Sequence, residues 1–345
     1  MRSLRVVNAM FGAKLGGLEQ VFVDYSEALA SRGHSLVNFV APDAEAAPAL
    51  RMLGQPVVEI GNFNQWDPLA VFRLRRALKE SGAEAVIAHG NRAIHLMRRA
   101  ARGVAPLIAV PHNINLKSAV GADFAIAINE DMRSRLLAAG QPPDRVEKVF
   151  NMIRRPSSPP RPSPLRRPPV IGAMGRFVEK KGFDVFLTAL SLLRAQGRDF
   201  QALLAGSGSL EASLKAQASD LDLSGTVAFP GWVTDKAAFF NAIDVFAFTS
   251  HHDVCPVVLL EAFVFAKPVV LANCPGPREI SADGEDSLLF ATGDAAALAD
   301  RLSLILAAPE LALRLGGAAQ AKVLHNHTFE TGAAQLESIL MKVCG

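Results

Sequence analysis

Short runs of β-branched and other apolar residues alternate with longer stretches in which apolar positions recur every three or four residues. This alternation is the signature of βα units joined into parallel sheets. In the first half it predicts strands near Arg5 to Met10, Ser35 to Val40, Ala85 to Ala88, Leu107 to Val110 and Phe124 to Ile128. The first helix is predicted to start near Leu18, with Leu18, Val21, Phe22, Tyr25, Ala28 and Leu29 on one face and Gly33 at its end.

From Asn151 to Pro169 the pattern breaks into an Arg-, Pro- and Ser-rich stretch whose prolines forbid a helix or a sheet interior. Strands then resume near Val170 to Met174, Gln201 to Ala205, Thr226 to Phe229, Val245 to Thr249 and Pro268 to Ala272, with helices such as Phe183 to Gln196 and Leu210 to Ser219 between them. The expected fold class is α/β: two doubly wound Rossmann-like domains facing each other across a cleft, with ligands at the carboxyl ends of the strands. The expected boundaries are residues 1–150 for the first domain, 151–169 for the linker and 170–325 for the second domain. Residues 326–345 are expected to form a last helix that can pack back on the first domain.

A length of 345 residues allows each domain its own core. The formal net charge of +3 is too small for a nucleic-acid binder. Cys255, Cys274 and Cys344 form no CxxC pair, which fits reduced thiols in a cytosolic protein, and no zinc site can be built from them. The basic start, Met1-Arg2-Ser3-Leu4-Arg5, leads into a short apolar run that reads as a strand and not as a secretion leader. Val254 to Ala272 is the longest apolar stretch, and Glu261, Lys267 and Pro268 exclude it as a membrane span.

Two groups of residues point to phosphate and sugar chemistry. Gly175-Arg176-Phe177-Val178-Glu179-Lys180-Lys181-Gly182 follows an apolar strand, so Arg176 and Lys181 can direct a guanidinium and an ammonium at phosphate oxygens. Lys180 reads as a solvated turn residue. Asp253 and Glu261 lie eight residues apart, the first in a loop and the second on the helix it feeds, with Pro256 expected in the first helical turn. A glutamate in so apolar a helix needs a partner, and a pair of ribose hydroxyls is one. Asp253 can hold sugar hydroxyls or stabilise a positive anomeric carbon. The structural alternatives are a helix cap for Asp253 and a core ion pair for Glu261.

With these landmarks the chain resembles the family 4 (group 1) retaining glycosyltransferases of the GT-B fold. The matching residues run from Gly16-Gly17-Leu18-Glu19 through Gly175-Arg176, Lys181-Gly182, Ala205-Gly206-Ser207-Gly208 and Phe229-Pro230-Gly231 to the spaced acids and Pro277-Arg278-Glu279-Ile280. The resemblance implies a nucleoside-diphosphate sugar as donor, gripped at its diphosphate by Arg176 and Lys181 and at its ribose by Glu261. Gly16 and Gly17 would let the first loop approach the phosphate. His112, after a first-domain strand, would face the donor sugar, and the metal-free transferases of this class imply no metal and no cofactor. The chain departs from the family where Asp253-Val254-Cys255 replaces the common Glu-Gly-Phe, which puts the donor's identity in question.

Gly206 and Ser207 can offer backbone N–H groups to phosphate, or form only a tight turn. His89 also ends a strand. His251 and His252 next to Asp253 lack a third metal ligand. Two basic stretches, Arg73, Arg75, Arg76 and Lys79 with Arg92, Arg98, Arg99 and Arg102, can meet an anionic membrane surface at about 1 kcal/mol per charge, or be solvated helix faces. Neither stretch has an evident aromatic membrane face. The expected activity is transfer of a sugar with retention of configuration to a glycan or lipid-linked acceptor in envelope polysaccharide or glycolipid synthesis. The expected location is cytoplasmic, at or near the inner face of the membrane. The alternatives are an inactive nucleotide-sugar-binding module and a nucleotide-sugar epimerase of the same architecture.

Overall fold

A computed structural model describes residues 2–12, 17–113, 115–156 and 158–345. The chain divides into two compact units, Met1–Arg154 with His327–Gly345, and Arg155–Asn326. Each is built on one parallel sheet.

In the first unit the strands are β1 (Arg5–Met10), β2 (Ser35–Val40), β3 (Val57–Glu59), β4 (Ala85–His89), β5 (Leu107–Val110), β6 (Phe124–Ala127) and β7 (Val146–Lys148). Their spatial order is β3-β2-β1-β4-β5-β6-β7, and every pairing is parallel. The central strands β4, β5 and β6 are buried along their whole length, as apolar runs covered on both faces must be. The chain winds outward from β1 to β3, then returns to β4 beside β1, so the order reverses between β1 and β4. Open parallel sheets bind ligands beyond the carboxyl ends of the strands at such a point.

The last helix, Phe329–Cys344, belongs to this unit and packs on the Gly17–Ser31 helix. Thr328 caps its start by accepting from the Thr331 N–H, and buried Glu337 accepts from Arg32 Nε at 2.7 Å. Gly332 lets the helix lie against Met152, whose side chain a β-carbon there would overlap.

The second unit contains β8 (Val170–Met174), β9 (Gln201–Ala205), β10 (Val227–Ala228), β11 (Val245–Phe248), β12 (Val269–Ala272) and β13 (Leu288–Phe290), in the order β10-β9-β8-β11-β12-β13. All its pairings are parallel, and its reversal lies between β8 and β11. Phe177, Phe183, Phe186, Leu190 and Leu204 are among the residues that fill the core beneath it. The proline-rich stretch is anchored on this unit: Arg166 Nε donates to Asp244 Oδ1 at 2.9 Å, and the Pro160 carbonyl accepts from Gln320.

Among the described residues no single helix is long and apolar enough to cross a membrane; Ala295–Ala307 and Pro309–Asn326 reach that composition only as a pair bent by 104°.

Candidate functional site

At the reversal point of the second sheet, the loop after β8 and the loop after β11 are bound to each other. Phe177 turns inward and packs edge-on against Phe183, which leaves Arg176 exposed at the carboxyl end of β8. A short turn, Glu179–Lys181, then ends at Gly182 with φ of 61°. Only glycine fits there, because a β-carbon would run into the Thr249 carbonyl. Thr249 Oγ1 donates to the Lys181 carbonyl at 2.9 Å, and the His251 N–H donates to that of Lys180 at 2.9 Å. These bonds fix the cationic loop beside the end of β11.

The result is a close pair: Lys181 Nζ donates to Asp253 Oδ2 at 2.6 Å, both side chains about 15% exposed. Asp253 Oδ1 accepts from the Val254 N–H, and the Asp253 carbonyl accepts from the Gly276 N–H, so the acid is held by its own loop and by the Pro275–Ile280 helix. Lys180, assigned to solvent from sequence, is exposed overall, yet its ammonium is partly desolvated and lies in the same field. Its pKa is pushed below the usual lysine range by desolvation, against the pull of Asp253 and with help from Lys181 and Arg176. Arg176 makes no ion pair among the described residues. An excess of cations therefore faces one acid, the charge balance that a diphosphate would complete.

Glu261 lies on the Val257–Val264 helix with one oxygen paired and the other not. Its Oε1 accepts from Lys236 Nζ at 2.6 Å, while Oε2 is buried with no hydrogen-bond partner. Burial raises the Glu261 pKa, and Lys236 opposes the rise. The core ion pair and the unfilled acceptor are thus both present in one side chain. Lys236 was not singled out from sequence for this role; it opens the helix Lys236–Ala242 behind the cap residue Asp235, 25 positions from its partner. Pro256 precedes the helix as its cap residue in extended conformation, a correction to its expected place in the first turn. Because the cap needs a non-helical backbone, the proline ends the loop instead of starting the helix.

The loop after β9 is structural at its first residue. The Gly206 N–H donates to the Gly231 carbonyl at 2.8 Å and is not free for phosphate. Gly206 and Gly208 let this loop lie against Gly175 and Phe177, where a β-carbon would overlap the backbone, and the Ser207 carbonyl accepts from the Phe177 N–H. The loop thereby braces Arg176 from behind. Cys274 nearby is a buried thiol pushed up to about 11 by burial, and so unsuited to act as a nucleophile. No group of three or more His, Cys, Asp or Glu side chains among the described residues is arranged to hold a metal ion.

In the first unit Gly16 lies outside the described residues, and Gly17 is the first residue of its helix. His112 sits just past β5 in a left-handed backbone conformation, φ 58°. Its Nε2 is 2.9 Å from Nδ1 of buried His89 at the end of neighbouring β4, and the two rings stack. Burial lowers the pKa of both, that of His112 to about 3, and His112 adds to the depression at His89. Both rings are therefore neutral near pH 7, and one proton joins them. Parallel neighbours β4 and β5 end at the same edge, so their register foreshadows the pairing.

A further recess of about 1410 Å³ opens in this unit, lined by Trp66, His95, Arg98, Arg99, Arg102 and Lys117 among others, but not by His89 or His112. The helix Pro68–Ser81 presents Leu69 and Phe72 to solvent, each 69% exposed, beside Phe63 at 92%. Phe63 and Phe72 are thus exposed aromatic residues that precede the first basic stretch in the chain.

Comparison with known proteins agrees with this architecture. Residues 15–154 match the family described as Glycosyltransferase Family 4, and residues 158–322 match Glycosyl transferases group 1. The lipopolysaccharide core biosynthesis glycosyltransferase LpsE of Rhizobium meliloti is 37% identical over 147 residues, 43% of this chain and 42% of that protein. LpsD of the same organism, also a lipopolysaccharide core biosynthesis glycosyltransferase, is 27% identical over 90% of this chain and 91% of its own length. Among solved structures, Anabaena HepE in complex with UDP superposes with a TM-score of 0.85 at 21% identity, covering 98% of this chain and all of that one. HepE has also been crystallised with UDP-glucose. The two doubly wound units and the two family matches that span them identify the chain as a GT-B-fold glycosyltransferase related to the group 1 and family 4 enzymes.

Proposed function

We propose that the protein transfers a sugar from a nucleoside-diphosphate donor to an acceptor hydroxyl with retention of anomeric configuration, in the assembly of an envelope polysaccharide or lipopolysaccharide. The observation that carries this reading is the Lys181 and Asp253 pair at the β8/β11 reversal, with Arg176 beside it. As the bond between the anomeric carbon and the diphosphate oxygen breaks, negative charge grows on the leaving oxygen. Arg176 and Lys181 stabilise that charge more than they stabilise the ground state, which lowers the barrier. Binding the diphosphate draws Lys181 from Asp253 and frees the carboxylate for the sugar hydroxyls. Glu261 holds the ribose through Oε2, an acceptor already stripped of water. The acceptor oxygen attacks from the face the diphosphate leaves, and its proton passes to the departing phosphate. His112, held neutral by burial, donates or accepts a hydrogen bond at the donor sugar without adding charge. The HepE complexes with UDP and UDP-glucose support a donor of this class, and LpsE and LpsD support an envelope glycan as acceptor. The exposed Phe63, Leu69 and Phe72 with Arg73 and Arg76 support peripheral contact of the first unit with an anionic membrane.

The test is turnover of a nucleotide-sugar panel, read as transfer and as slow donor hydrolysis. Arg176→Ala and Lys181→Ala should each lower turnover by on the order of a hundredfold. Near-normal turnover in both variants removes these residues from the mechanism. Nucleotide binding with neither transfer nor hydrolysis points to an inactive module.

A further inference from the structure

The crossover from β5 to β6 differs from its neighbours. Helices Gly17–Ser31, Ala47–Met52, Pro68–Ser81, Gly90–Ala100 and Glu130–Ala138 serve the other crossovers of the first sheet, but the described residues of 111–123 contain none. Where a helix would cover the flank, the recess of about 1410 Å³ is left open. This exceeds the ~300–1,000 Å³ typical of small-molecule pockets, so it has room for more than one ring.

Its walls are chemically specific. The Gly90–Ala100 helix buries Ala93, Ile94, Leu96 and Met97, and so turns Asn91, His95 and Arg98 outward on one stripe that Arg102 continues. With Arg99 and Lys117, four cations line the recess, and none makes an ion pair among the described residues. Arg98 and Arg99 are positioned by carbonyls, those of Val120 at 2.8 Å and Trp66 at 3.5 Å, which orient the guanidinium groups without neutralising them. Asp123 is the one acid on the lining, and its carboxylate accepts from the Leu107 N–H instead of meeting a cation. Like charges gathered in a concave wall repel one another until an anion joins them.

Neutral groups sit among these charges. Trp66 is 63% exposed and stands edge-on to His95, with ring centroids 4.2 Å apart. The same wall carries the Asn91 amide and the Ser118 hydroxyl, which bond each other at 2.8 Å. An indole suits the apolar face of a sugar ring, amides and hydroxyls suit its hydroxyl groups, and guanidinium groups suit phosphate or carboxylate bidentately. A net charge of +3 and a single local cluster do not fit nucleic acid.

We propose that this recess between the Gly90–Ala100 helix, Trp66 and residues 115–123 is a binding site for an anionic saccharide, one that carries phosphate or carboxylate groups. Binding here does not depend on the donor reading, and the experiment keeps the two apart. Titration calorimetry would compare trigalacturonic acid and glucose 6-phosphate with maltotriose, glucose and inorganic phosphate. The charged saccharides should bind at least tenfold more tightly than their uncharged counterparts, and more tightly than inorganic phosphate. Arg102→Gln/Lys117→Gln alters two side chains with no hydrogen bond among the described residues, so the fold should be kept while affinity falls about tenfold. Trp66→Ala should weaken trigalacturonic acid but leave inorganic phosphate unchanged. Lys181→Ala should leave all of these affinities unchanged, whatever it does to turnover. Equal affinity for charged and neutral sugars, no advantage of the sugars over inorganic phosphate, no response to Arg102→Gln/Lys117→Gln, or binding to anionic vesicles alone would each overturn the proposal.

Discussion

Replacing Glu261 with glutamine separates its role in binding from its role in the fold. The carboxylate has one oxygen on Lys236 at 2.6 Å and a second that is buried and unpartnered. If Oε2 accepts from the ribose diol, the bonds are made to a charged group and are worth roughly 1.5–3 kcal/mol. Glutamine keeps the shape but turns an N–H₂ toward one of the two acceptor directions, so most of that energy is lost. Nucleotide affinity should fall by about 10- to 100-fold, since each 1.4 kcal/mol is about a factor of ten. The fold should lose far less. Lys236 is 41% exposed and can turn to water, and removing a desolvated charge relieves part of the cost of burying it. The assay is calorimetric titration with UDP, GDP and ADP, run beside a thermal melt of the ligand-free protein. Unchanged affinity for the best nucleotide would refute the ribose role. A drop in melting temperature large enough to explain the lost binding would refute the separation of roles.

Three further outcomes follow from the same geometry. Asp253→Asn should leave diphosphate binding intact or tighter, because Lys181 is released, while lowering turnover by about a hundredfold; weaker UDP binding in that variant would contradict the exchange of partners. The raised pKa of Glu261 means that the folded protein holds that proton more tightly than the unfolded chain. Its effect on stability is therefore most favourable below the ordinary value of 4.5 and is lost as pH rises through the folded pKa, whereas nucleotide affinity, which needs the carboxylate, should weaken as pH falls while still above 4.5. Glu261→Gln should flatten both profiles, and unaltered pH curves would sink this reading. Leu69→Ser/Phe72→Ser should reduce sedimentation with anionic vesicles severalfold without changing the melting temperature, since both side chains are 69% exposed.

The sheets were largely legible because buried parallel strands leave continuous apolar runs; β1, β2, β5, β8 and β9 begin and end where the runs do. The strands β3, β7 and β13 escaped for a physical reason. Each is three residues long and lies at a sheet edge, too short for periodicity and, at β3, too exposed for an apolar run. Candidate residues at strand ends were legible as well, since loops after parallel strands gather at one edge. Their partners were not. Lys236 meets Glu261 across 25 residues, and the left-handed turn that aims His112 at His89 follows from packing, which no local pattern encodes. The exposure of Phe63, Trp66 and Phe72 beside the basic residues depends on how residues 60–81 pack, which the local sequence does not encode.

The most direct test of the central claim is a crystal structure with an intact nucleoside-diphosphate sugar. In it the diphosphate oxygens should lie within hydrogen-bonding distance of Arg176 and Lys181, the Lys181 and Asp253 pair should be opened, and the ribose hydroxyls should sit on Glu261 Oε2. A diphosphate bound elsewhere, with both ion pairs intact and Oε2 still unpartnered, would contradict that claim.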